Sequence, residues 1–213
     1  TAMVRSEMPI PVITSNRINT PDVAETIIAR GDADMVSMAR PFLADANFVS
    51  KAANGRGDEI NTCIACNQAC LDAIFNGKIT SCLVNPFACN ETEMVLKPAT
   101  VIKKIAVVGA GPAGLAAATT AARRGHQVTL FDAAEEIGGQ FNIAKRIPGK
   151  EEFYETIRYF AKEISLSGVT LRLGLRAGPK DLASFDEVIL ATGVMPRTPE
   201  IIGIEHPKVV GYL

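Results

Sequence analysis

The sequence has no tryptophan, only two histidines, and an aromatic share of 6% over 213 residues. It also lacks a charge excess: Lys+Arg 22 against Asp+Glu 23 leaves a formal net charge of −1. That balance excludes a nucleic-acid binder built on a basic field, because neutralising phosphates takes a surplus of Lys and Arg. No apolar run suits a membrane span. The longest begins at Ala106 and is broken by Gly109, Gly111, Pro112 and Gly114, well short of the roughly 20 residues a helical span needs. The first residues include Arg5, Glu7, Pro9 and Pro11, which is not the pattern of an export signal. We see no internal repeat and no low-complexity tract. Neither His126 nor His206 lies in a serine, cysteine or carboxylate pattern that suggests nucleophilic catalysis. His126 opens a strand after a glycine turn and reads as structural.

Other features are well represented. Apolar residues make up 47% of the chain, enough for a real core and too many for disorder. Seventeen glycines beside so few aromatics lean toward an α/β protein with turns set by the backbone. Five cysteines are present, and in the cytoplasm, the default address here, clustered cysteines more often hold metal than form disulfides.

The chain divides into three segments. In residues 1–56, Pro11 to Ser15 and Ala33 to Arg40 read as buried parallel strands. Between them, Thr20 is an N-cap, Pro21 takes the first helical position, Val23, Ala24, Ile27 and Ile28 form an apolar stripe, and Gly31 closes the helix. Asp45 caps a second helix ending near Gly55. Two strands do not make a stable sheet. Together with Thr1 in first position, they read as the end of a barrel or doubly wound sheet in a fragment of a longer protein. Residues 57–100 have little periodicity and hold every cysteine. Residues 101–213 resume the α/β pattern. Lys104 to Val108 is a strand, an alanine-rich helix follows through Arg124, and Gly125 ends it. Gln127 to Phe131 is the next strand. Glu151 to Ser167 is an amphipathic helix with Phe153, Ile157, Phe160, Ala161 and Ile164 on one face. Val169 to Leu175 alternates as a strand, and Glu187 to Ala191 reads as a buried one.

Three patterns carry chemistry. Cys63, Cys66, Cys70 and Cys82 give C-x2-C-x3-C-x11-C. Three thiolates within one short loop, with a fourth returning from a distance, suit a 4Fe–4S cluster; a zinc site and a disulfide framework remain alternatives. Cys89 is a spare or buried thiol. Gly109, Gly111 and Gly114 form G-x-G-x-x-G between a strand and a helix, with Asp132 ending the next strand. In that context the pattern is a dinucleotide-binding fingerprint: a tight turn, a close approach to pyrophosphate, close helix packing, and a carboxylate for a ribose hydroxyl. The later E-I-G-G-Q (Glu136 to Gln140, including Gly139) and A-T-G (Ala191 to Gly193) resemble elements of glutathione-reductase-like flavoproteins and favour FAD over NAD, though each alone is also a plain turn. Finally, Arg17 and Arg40 each follow a strand. Two guanidiniums at the carboxyl ends of parallel strands suit a phosphate, and surface ion pairs are the competing reading.

The order ADMVSMARP, CIACNQAC with a later Cys82, VVGAGPAGLAAA, E-I-G-G-Q and ILATG resembles the multidomain branch of the old yellow enzyme family, trimethylamine dehydrogenase-like proteins included. Within it, the chain is most similar to NADPH-dependent 2,4-dienoyl-CoA reductases. The similarity covers essentially the whole chain. The resemblance implies three parts: 1–56 as the last strand–helix units of an FMN-binding TIM barrel, 57–100 as a 4Fe–4S cluster segment, and 101–213 as a Rossmann-like FAD-binding domain that stops before an NADPH domain. It implies FMN-phosphate contacts at Arg17, Ala39 and Arg40, and cluster ligands at Cys63, Cys66, Cys70 and Cys82. FAD contacts fall at Gly109, Gly111, Ala113, Gly114, Asp132, Gln140 and Ala177. No catalytic acid is assigned, since the family's proton donors lie in barrel segments outside these residues. The implied activity passes electrons from NADPH through FAD, the cluster and FMN to an unsaturated fatty acyl-CoA. The loop from Ile64 to Cys70 is expected to hydrogen-bond the cluster sulfurs. Other enoate reductases or amine dehydrogenases of the family, and FAD/iron–sulfur electron-transfer modules as in glutamate synthase small subunits, are the alternatives. The ADMVSMARP segment speaks against the last of these.

Overall fold

The computed structural model describes residues 1–211. Its first part contains α1 (Ala2–Glu7), β1 (Ile13–Thr14), α2 (Pro21–Ala29), β2 (Met35–Val36), α3 (Arg40–Ala44) and α4 (Phe48–Ala53). A 3-10 turn (Gly57–Glu59) and α5 (Leu71–Phe75) are the regular elements of the cysteine segment. The last part runs β3 (Lys104–Val108), α6 (Pro112–Arg123), β4 (Gln127–Phe131), α7 (Phe141–Ala144), α8 (Phe153–Ser167), β5 (Thr170–Arg172), α9 (Pro179–Leu182) and β6 (Glu187–Leu190).

The last part is a four-stranded parallel sheet in the order β5-β4-β3-β6. Its central strand, KIAVV, buries Ile105, Ala106 and Val107, the continuous apolar run of a strand covered on both faces. Gly111 and Pro112 start α6, and its small residues Gly114 and Ala118 bring it close against the sheet. Leu115, Leu130, Val128 and Ile164 meet there in the main core cluster, with Ile157 and Phe160 of α8 packed beside it. Gly125, at φ +97, ends the α6 turn. The strands expected at Lys104–Val108 and Gln127–Phe131 are found to the residue.

The two strands of the first part pair in parallel, Ile13 with Met35 and Thr14 with Val36. Thr20 caps α2 as expected, its hydroxyl accepting the Val23 N–H at 3.4 Å. Other expectations need correction. The strands predicted at Pro11–Ser15 and Ala33–Arg40 shrink to two residues each, and Ile13 and Met35 are both 58% exposed rather than buried. The α2 stripe is also open, with no buried residue. The second predicted strand, expected to run to Arg40, gives way to α3, which Arg40 begins with Pro41 in its first turn, a residue suited to a helix start and unable to donate to a ladder. Asp45 does not cap the next helix. It is a buried hub whose carboxylate accepts the Asn47 and Asn61 N–H groups, each at 2.9 Å, and pairs with Lys51 at 2.6 Å. Every residue of β6 is exposed, against the buried strand expected at Glu187–Ala191, because it is a sheet edge paired with β3 alone. Ala161, placed on the apolar face of α8, points outward.

The cysteine segment is fastened to both flanking parts by polar contacts. The Arg158 guanidinium, on α8, donates to Asp58 O at 2.5 Å, Ile60 O at 2.6 Å and Thr62 Oγ1 at 3.2 Å. Lys162 pairs with Asp58 at 2.7 Å. On the other side, Asn85 Nδ2 donates to Leu43 O at 2.9 Å.

Candidate functional site

Three cavities gather most of the residues singled out above. The first, about 380 Å³, lies at the carboxyl ends of β1 and β2 and is walled by Arg17, Ala39 and Arg40 together with Ser15 and Ser37. Asn16 and Arg17 adopt left-handed backbone angles, φ +85 and +51. That bend turns the chain across the strand end. Arg17 also pairs with Glu152, just before α8, so the surface ion pair considered for it is present.

The second cavity is narrow, about 10 Å³, and is lined by Cys63, Cys66, Cys70 and Cys82 between the apolar side chains of Leu43, Ile64 and Leu83. Residues 65 and 67 in its loop are left-handed, Ala65 at φ +53 and Asn67 at φ +60. Burial pushes the Cys63 and Cys82 thiols up, against the pull of backbone N–H groups: Ala65 toward Cys63, and Val84 and Asn85 toward Cys82. Such donors favour a thiolate and suit a ligand that withdraws the thiol proton. One donor comes from the Ile64–Cys70 loop, and the other two come from beyond Cys82. Among the described residues, no three His, Cys, Asp or Glu side chains converge closely enough to hold one metal ion. Cys89 is exposed rather than buried, and all five cysteines are free. The donor set fits a thiolate-bound cluster.

The third cavity, about 400 Å³, opens at the carboxyl ends of β3, β4 and β6 and includes Gly109, Asp132 and Ala177. The glycines here differ in what holds them. Gly109 has φ +110, and a Cβ there would lie 2.2 Å from Ala191 O. At Gly114 a Cβ would lie 1.7 Å from Gly109 O, which is the close helix packing expected. Gly111 has φ −74, and a Cβ there meets no protein atom within 4 Å. Its missing side chain therefore serves the open side of the turn. Asp132 Oδ2 accepts the Ala110 N–H at 2.5 Å and Oδ1 the Ala134 N–H at 2.8 Å. The carboxylate thus ties the glycine turn to the end of β4, and each oxygen retains a lone pair for a hydroxyl. The E-I-G-G-Q stretch folds back onto the same turn. Gly138 N–H donates to Ala110 O at 2.8 Å, Gly139 packs on Gly111, and Gln140 Nε2 donates to Val194 O at 2.8 Å. Ala113, on the first turn of α6, is exposed. Arg176 and Thr192 also line this cavity. Thr192 was visible within the A-T-G signal, whereas nothing in the sequence marked Arg176. His126 is structural, as read, its Nδ1 accepting the Lys103 N–H at 3.2 Å.

No helix among the described residues is long and apolar enough to cross a membrane. The chain is 41% identical to a metal reductase of Desulforamulus reducens over 97% of its own length and 32% of the relative's. It is 43% identical to an NADH oxidase of Thermoanaerobacter brockii, over 95% and 32% respectively. The solved complex of 2-naphthoyl-CoA reductase with 2-naphthoyl-CoA superposes with a TM-score of 0.91 at 37% identity, over 96% of this chain and 32% of that one. The chain thus spans about one third of the relatives it matches. Residues 1–59 match the NADH:flavin oxidoreductase / NADH oxidase family, and the homologues are flavin oxidoreductases of the old yellow enzyme kind. Residues 103–212, more than half of the chain, match the pyridine nucleotide-disulphide oxidoreductase family, and the chain belongs to it.

Proposed function

We propose that this chain forms the electron-relay portion of a cytoplasmic iron–sulfur flavoenzyme that reduces an unsaturated acyl-CoA with NADPH, as the 2,4-dienoyl-CoA reductases it resembles do in unsaturated fatty acid breakdown. The observation that carries the reading is the second cavity. Four thiols line one pocket, which shares Arg40 with the arginine-walled cavity, and in sequence their segment leads into the glycine-turn module. The solved relative that holds an acyl-CoA thioester supports that substrate class. Free thiols suit a reducing compartment.

In this reading Arg17 and Arg40, with the Ala39 backbone between strand and helix, hold the phosphate of FMN. Charge-assisted hydrogen bonds from guanidiniums suit a dianion. Cys63, Cys66, Cys70 and Cys82 hold a 4Fe–4S cluster, and the Ala65, Val84 and Asn85 N–H groups stabilise sulfur charge. Gly109, Gly111, Ala113 and Gly114 let the first turn of α6 meet the pyrophosphate of FAD. Asp132 accepts a ribose hydroxyl, and Gly139, Gln140 and Ala177 border the rest. Held there, the flavins would supply hydride and single-electron chemistry, and the cluster one-electron chemistry, between NADPH and the unsaturated thioester. The protein's part is to fix their spacing and exclude water. Leu43 and the buried Ile64 do so around the thiols.

Anaerobic purification of the whole protein is expected to yield about four iron and about four acid-labile sulfide per chain, with FAD and FMN. Stoichiometric zinc without iron would sink the cluster reading. Cys66→Ser is expected to abolish NADPH-driven acyl-CoA reduction while NADPH still bleaches flavin absorbance. Unchanged turnover would refute the relay.

A further inference from the structure

Arg40 is the charged residue common to the walls of the arginine-lined cavity and of the thiol pocket. Its Nη1 donates to Asn67 Oδ1 at 2.5 Å. Asn67 lies between Cys66 and Cys70 at φ +60, a left-handed conformation that asparagine tolerates better than most residues. Ala65 makes a similar bend two residues earlier, at φ +53. The loop carrying three of the four thiols therefore turns twice, and the second turn is held by a side chain from the neighbouring cavity.

The bond acts in both directions. A guanidinium has five N–H donors in a rigid fork. With one arm on Asn67, its orientation is restrained while its other arms point to no protein acceptor among the described residues, so less rotamer freedom is lost on binding an anion. In turn, whatever fixes Arg40 fixes Asn67 and the cysteine loop. Arg17 is held differently, by Glu152, and is not part of the thiol pocket wall.

We infer that Asn67 is a positioning residue that couples the two cavities, orienting Arg40 toward a flavin phosphate while setting the bend of the cysteine loop, so that occupancy of either cavity raises affinity at the other. Such coupling is reciprocal by thermodynamic necessity. The inference rests on the function proposed above and adds to it a linkage between flavin and cluster binding.

The test uses holoprotein depleted of FMN with its iron retained, titrated with FMN and with riboflavin, which has the same ring system and no phosphate. Asn67→Gly removes the acceptor and keeps a residue at ease at positive φ. The variant is expected to bind FMN about fivefold or more weakly, with riboflavin affinity, iron and acid-labile sulfide unchanged. Unaltered FMN affinity, or an equal loss for both flavins, would overturn the coupling. Should the variant fail to take up iron, the unsubstituted protein decides. Chelating its iron is expected to weaken FMN relative to riboflavin by a similar factor, and an unchanged ratio overturns the inference. A purified protein without iron or flavin removes the proposed function and this inference with it. Normal cofactor content with an unchanged ratio removes the inference alone.

Discussion

At the scale of single residues, the glycine turn separates folding from binding. Gly114→Ala puts a Cβ onto Gly109 O at 1.7 Å. The backbone must move, and a loss of more than about 2 kcal/mol is expected in chemical denaturation. Gly111→Ala meets no protein atom and needs no unusual φ, so stability should stay within about 0.5 kcal/mol. Its expected effect is loss of bound FAD, read from the flavin extracted after purification; full FAD content would show that the open side of Gly111 does not face the ligand. Residues of this kind were legible because turn chemistry is local: G-x-G-x-x-G and the cysteine spacing are short patterns. The partners of Asp132 and Asp45 were not legible. Both carboxylates are occupied by backbone N–H groups, and a backbone donor leaves no mark in the sequence.

At the scale of elements, α8 joins the four-stranded sheet to the cysteine segment. Removing the Arg158 side chain leaves Asp58 O, Ile60 O and Thr62 Oγ1 without their donor. Arg158→Ala is expected to cost about 1–3 kcal/mol and to spread thermal unfolding over two transitions, visible by calorimetry. Arg158→Lys should restore little, because one ammonium does not reproduce a planar fork. Strand limits were read correctly where the sheet is complete around them, as at Lys104–Val108 and Gln127–Phe131. They were overrun where it is not. Pro11–Ser15 and Ala33–Arg40 are apolar enough for longer strands, yet β1 and β2 have only each other to pair with. α3 was missed because it follows an apolar run directly, and Pro41 was the available signal.

At the scale of the molecule, the sheets leave apolar surface uncovered. Ile13 and Met35 are each 58% exposed, and Leu190 on the edge strand is 73% exposed. Exposed apolar residues on unpaired strand edges favour association. The 213 residues expressed alone are expected to self-associate, seen by light scattering, and to show no acyl-CoA reduction; a monodisperse active sample would contradict this. In the role proposed for Asp132, ligand recognition and scaffold are tightly joined. Its oxygens hold Ala110 and Ala134 in place, so the acid proposed to meet a ribose is also a fastening of the turn that surrounds it. Substitutions that retune nucleotide preference elsewhere by exchanging this acid would here loosen the cradle itself. Selection for a new cofactor would have to begin at residues that bear no such second duty, such as Arg176.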